Sequence, residues 1–149
     1  KKKKKRERSN TRMKNYLILR VITKLLIPFI LLFGLYVQMH GDYGPGGGFQ
    51  AGAIFASAFI LYAIVFDVRI ARKVMPMWLL TILSCVGVLL YCGVGIATLI
   101  YGGNFLEYGV LSSIPSSGNH IGILIIEIGV GIAVAAVILL IFFSLAGRR

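Results

Sequence analysis

Residues 121–146 read IGILIIEIGVGIAVAAVILLIFFSLA: twenty-six residues with a single charge, Glu127. A helix needs about 20 apolar residues to cross the hydrocarbon core of a bilayer, and this run exceeds that. It has to be helical there, because lipid offers no partner to free backbone N–H and C=O groups. Three more apolar segments precede it, at about Leu17 to Met39, Gln50 to Phe66 and Met77 to Ile100. The second holds only seventeen residues, so the glycine-rich stretch before it is expected to lie partly at membrane depth. Composition points the same way. The chain is 58% apolar and 14% charged, with a mean hydropathy of +0.87, against about 45–50% and about 25% in soluble domains. The expected fold is an all-α integral membrane protein of four transmembrane helices, with a four-helix domain over 15–149 behind a basic tail over 1–14. A large multi-domain enzyme is excluded by length.

Charge orients the helices. Lysine and arginine number sixteen against five acids, a net +11. Eleven of the sixteen fall between Lys1 and Lys24, while Arg69, Arg72 and Lys73 sit between the second and third segments and Arg148 and Arg149 at the end. The other two connections, His40–Phe49 and Tyr101–His120, contain no Lys or Arg. An even number of crossings puts all sixteen on one side and none on the other. The positive-inside rule makes that side the cytoplasm, with both termini in it. Tyr16, Trp78, Tyr101 and Tyr108 fall near the expected interfaces, where amphipathic rings collect. Lys1 to Lys14 has no apolar periodicity and is expected to stay irregular or lie on the membrane, drawn to anionic lipid. Met13 is a natural start for the membrane domain, which makes the first twelve residues an expected extension. No small-residue cleavage site comes after the first apolar run, which argues against a secretory signal. A nucleic-acid-binding domain would spread its charge over a soluble body, and none remains here. Cys85 and Cys92, seven apart in an apolar run, are expected to be buried small hydrophobes; no metal-ligand spacing is present.

The least ordinary segment is His40-Gly41-Asp42-Tyr43-Gly44-Pro45-Gly46-Gly47-Gly48-Phe49-Gln50. Five glycines permit tight or positive-φ backbone that other residues adopt only at a cost. Gly46, Gly48 and Ala51 formally fit a dinucleotide fingerprint, but the segment comes after a membrane helix instead of a strand. No Lys-Ser/Thr comes after the glycines, which removes a phosphate-binding P-loop. Gly48, Gly52 and Ala56 continue the segment at small-xxx-small spacing, as on one face of a closely packed second helix.

This segment together with Pro28-Phe29-Ile30-Leu31-Leu32-Phe33-Gly34-Leu35-Tyr36-Val37 resembles the B subunit of Mrp-type multisubunit Na+/H+ antiporters. The same domain recurs in related membrane-bound hydrogenase complexes. The likeness continues through Asn104-Phe105-Leu106, Gly118-Asn119-His120-Ile121-Gly122 and Glu127-Ile128-Gly129-Val130-Gly131. It implies four helices in a hetero-oligomer with other antiporter subunits, and Na+ and H+ as the transported ions. The implied setting is a multi-pass protein of a bacterial or archaeal plasma membrane. The role it implies is that of a transporter subunit without a cofactor, not an enzyme. A subunit of a hydrogenase-type redox-driven ion pump is the alternative.

Cation/proton exchange needs a protonatable group at membrane depth. Asp67 stands at a segment boundary beside Arg69, and Arg20 and Lys24 can snorkel. Only Glu127 lies well inside a run, about 9 Å from Ile121 by helical rise. A charged acid at a helix centre costs about 2.5–3.5 kcal/mol on insertion scales, so such residues face protein or water. The candidate proton or ion path is therefore Glu127 with His120, His40 and Asp42. Glu107 lies near the same end. Pro45, Gly46, Gly47, Gly48, Phe49 and Gln50 form a candidate assembly loop, with Phe49 as an apolar anchor. One carboxylate does not make an antiporter by itself, and the expected role is that of an obligatory subunit.

Overall fold

The computed structural model describes residues 2–41 and 44–147, with side chains from Leu17 onward. It contains five α-helices, α1 Lys2–Met39, α2 Gly48–Phe66, α3 Val68–Val74, α4 Met77–Ile100 and α5 Pro115–Ala146, and a 3-10 turn at Tyr108–Leu111. Four of them carry stretches long and apolar enough to cross a membrane: Leu17–Met39, Gly48–Phe66, Met77–Ile100 and Pro115–Ala146. This is a multi-pass membrane protein.

α5 is the central element. It packs against α2 on one side and α4 on the other, while α1 lies mainly on α2. Close approach depends on small residues. Where α2 meets α5, a Cβ on Gly52 would sit 2.9 Å from Cβ of Val134; where α4 meets α5, one on Gly87 would sit 2.8 Å from Cβ of Ala133. Gly48, Gly52 and Ala56 are all buried along this face of α2, as their four-residue spacing implies. Dispersion across such dry seams, rather than water release, holds membrane helices together. The larger core side chains lie lower down, where Leu80, Leu139 and Phe143 are fully buried with Ala56, Ala63, Ala71 and Ala136.

One end of the molecule is basic. Arg20 and Lys24 each place their charge 5.8 Å from the ring centroid of Phe66. Arg72 donates to the Phe143 carbonyl in the last turn of α5 and lies 5.9 Å from the Phe143 ring centroid. A cation at a helix C-terminus meets the negative end of its dipole. Between α2 and α3, Asp67 takes a positive φ of 96° and accepts the Arg69 N–H at 2.8 Å, starting α3. That hydrogen bond and the Arg69 guanidinium hold its carboxyl below the usual carboxylate value.

Several expectations change. The tail Lys1 to Lys14, expected to be irregular or to lie on the membrane, is helical from Lys2, where α1 begins. Lysine, arginine, glutamate and methionine are good helix formers, and extending an existing helix avoids nucleation. α2 starts two residues before Gln50 and α5 six before Ile121. Pro115 explains the second shift, because its missing N–H and fixed φ suit the first helical turn. The basic connection folds into α3. Cys85 and Cys92 are exposed on α4 instead of buried; α4 buries its Leu80, Gly87, Val94 and Gly95 face against its neighbours and leaves the cysteine face outside.

Candidate functional site: a glycine turn around Glu127

The connection from α1 to α2 folds back on the end of α1. The Val37 carbonyl accepts the N–H groups of His40 at 3.3 Å and Gly47 at 3.1 Å, and Gly44 N–H donates to the His40 carbonyl at 3.1 Å. Gly47 has φ 112°, ψ −177°, a conformation only glycine adopts readily. The turn so made lies directly on Glu127 of α5. A Cβ on Gly41 would stand 2.6 Å from Oε2 of Glu127 and closer still to Oε1, and one on Gly47 would stand 2.9 Å from Oε1. A Cβ on Gly48 would lie 2.8 Å from the carbonyl carbon of Glu127 and overlap its oxygen. Bare backbone at these three positions is the condition for the carboxylate to occupy this place.

The two features singled out separately in the sequence, the lone acid and the glycine run, therefore form one site. Glu127 is the thirteenth residue of a longer helix than expected and packs beside the first residue of α2.

The remaining candidates divide. His40 is half-buried at the end of α1, its ring stacked on Tyr36 with centroids 5.2 Å apart, and it belongs to the turn. His120 is exposed on α5, about 10 Å from Glu127 along the axis. Asp42 lies outside the described residues. Pro45, Phe49 and Gln50 are exposed while Gly47 and Gly48 are buried, so the turn has an inner glycine face and an outer side-chain face. Glu107 is not brought to this site; its Oε2 accepts the Asn104 backbone N–H at 2.7 Å. Among the described residues no group of three or more His, Cys, Asp or Glu could hold a metal ion.

Two polar residues escaped the sequence reading. Gln38, 6% exposed, sets its Oε1 2.8 Å from where a Gly131 Cβ would be, one turn below Glu127, and its Nε2 has no hydrogen-bond partner. The only sequence signal was an amide within an apolar run. Thr98, fully buried in α4, donates to the Gly95 carbonyl at 2.8 Å and accepts the Leu106 N–H at 3.0 Å. It thereby ties down the connection to α5. In that connection Tyr108 packs on Gly122; burial, then the neighbouring Tyr91, pushes its phenol above the ordinary value.

Known proteins are similar to this chain along most of its length. A family model described as the domain related to the MnhB subunit of Na+/H+ antiporter matches residues 18–140. Proteins of Staphylococcus aureus strains Newman and JH1, both named "Putative antiporter subunit mnhB2", are 36% identical to it over 138 residues, covering 91% of this chain and 97% of theirs. The match takes in α2, α4, the glycine turn, Glu127 and all but the last turns of α5. The chain belongs to the family of domains related to the MnhB subunit of Na+/H+ antiporters.

Proposed function

We propose that this chain is a membrane subunit of a multisubunit Na+/H+ antiporter, in which the Glu127 site takes part in the proton or cation path. Family membership supports the subunit role. The observation that carries the second half is the enclosure of the Glu127 carboxylate by Gly41 and Gly47. Glu127 is the only carboxylate in the four apolar spans, and a turn shaped to receive it suits a group that must hold its position while exchanging a proton or cation. The partners are the other antiporter subunits, the bilayer, and anionic lipid at the basic end; Na+ and H+ are the transported ions. The setting is a bacterial or archaeal plasma membrane with both termini cytoplasmic, and the role is transport, not enzymatic catalysis. The exposed face of the glycine turn, with Phe49 62% exposed, is the docking point for a neighbouring subunit.

Glu127→Gln tests the path. It keeps the shape and much of the hydrogen bonding but cannot release a proton. The expected result is a complex that co-purifies with all subunits yet loses cation-driven proton movement in everted vesicles, or shows it with an altered pH dependence. Wild-type exchange across the whole pH range would remove Glu127 from the path.

A further inference from the structure

Below the glycine turn a cavity of about 350 Å³ opens between the helices. All four spanning helices wall it, with Leu35 and Gln38 of α1, Phe55 and Phe59 of α2, Leu83 of α4 and Leu139 of α5 among its lining. Along α5 it reaches from Ile128 to Leu139, about 16 Å by helical rise. Its size falls within the usual range of ligand sites, about 300–1,000 Å³.

Three properties select the occupant. The wall is almost wholly apolar, and a stable buried water needs two to four polar partners, so water and ions are poor tenants. The long dimension matches one leaflet, since half of a hydrocarbon core about 30 Å thick is about 15 Å. The single polar side chain stands toward the glycine-turn end, where the hydrocarbon core meets the headgroup layer. Gln38 has there an amide nitrogen without an acceptor, and lipid offers no water to satisfy such a donor. The terminal amide torsion of glutamine is soft, so this donor can turn to an acceptor entering the cavity.

We infer that the cavity holds one acyl chain of a membrane phospholipid from the leaflet at the glycine-turn end. Its ester carbonyl accepts from Gln38 and its tail runs toward Leu139. The lipid fills the hollow that α1, α2, α4 and α5 wall. This holds whether or not Glu127 carries protons.

The test is native mass spectrometry of the assembled complex taken from its own membrane in mild detergent. Wild type should retain a phospholipid on this chain. Ala135→Phe, which puts a ring into the cavity, should lose it, whereas Val137→Phe, on the exposed side of α5 at 43% exposure, should keep it. Retention by all three overturns the assignment. A second measurement does not depend on Ala135→Phe assembling: a photoactivatable benzoylphenylalanine at Leu83, half-buried in the cavity wall, should form an adduct with phospholipid. An adduct with another protein chain would mean that a partner side chain fills the cavity, and would overturn the proposal.

Discussion

Gly41 stands where any side chain would strike the Glu127 carboxylate, so the smallest possible change there is an informative one. Gly41→Ala adds one methyl and leaves every charge in place. Its expected effect is a fall in exchange of tenfold or more in a complex that still assembles, read as proton movement in everted vesicles. Unchanged exchange would show that the carboxylate can leave its place without consequence. Asp67 offers a contrast at the other end. Its φ of 96° is unfavourable for any residue but glycine, and it is retained because the carboxylate accepts the Arg69 N–H. Asp67→Ala keeps the strain and loses the acceptor, so the complex should melt lower than wild type, while Asp67→Gly should lose less. The pH dependence has a definite sign. The native carboxyl is held below its ordinary value, so its contribution is present above the unfolded value and fades as pH falls through the native one. Wild type and Asp67→Ala should therefore converge in acid and separate toward neutrality. The exposed Arg69 ion pair at 3.5 Å adds little to this.

At the scale of elements, Thr98 shows how one hydroxyl fixes a whole connection. Its oxygen accepts the Leu106 N–H while its proton goes to Gly95, and the Phe105 ring lies over Gly95. Thr98→Val preserves shape and leaves the Leu106 N–H without an acceptor, a loss of about 1–3 kcal/mol for a buried group. Faster amide exchange confined to residues 102–111, with the spans unaffected, is the expected result; protection equal to wild type would show that the ring contact suffices. The spans themselves were legible because twenty or more apolar residues admit few alternatives, and α4 has the bounds its hydropathy gave. The starts of α2 and α5 were less so, since glycine, serine and asparagine dilute hydropathy although they continue the helix. Glu127 and the glycine run each stood out, one by charge and one by composition. Their meeting was not legible, because periodicity orders residues within a helix and says nothing of which turn of α5 faces which turn of α2. Gln38 was missed for another reason: an uncharged amide hardly alters an apolar pattern, and its importance lies in a partner it lacks.

At the scale of the whole molecule, the four spans bury little of themselves: between 11% and 28% of the most apolar stretch of each lies inside the chain. Leu89, Ile100 and Trp78 are among the large apolar side chains more than 60% exposed. Such a chain has lipid or other subunits on nearly every side, and its orientation must come from what lies beyond the hydrocarbon. Arg20, Lys24, Arg69, Arg72 and Lys73 gather at one end, where Arg72 also closes α5. At the other end, neither the glycine turn nor the connection from α4 to α5 contains a lysine or arginine. Since each misplaced basic group would have to be carried across the bilayer, this asymmetry predicts the basic end in the cytoplasm. Single cysteines test it once Cys85 and Cys92 are replaced by alanine. In intact cells a membrane-impermeant maleimide should label Ser113→Cys, exposed at the glycine-turn end, and leave Lys73→Cys unmodified until the membrane is opened. In everted vesicles the pattern should invert. Labelling of Lys73→Cys from outside intact cells would reverse the orientation, and with it the side from which the Glu127 site opens.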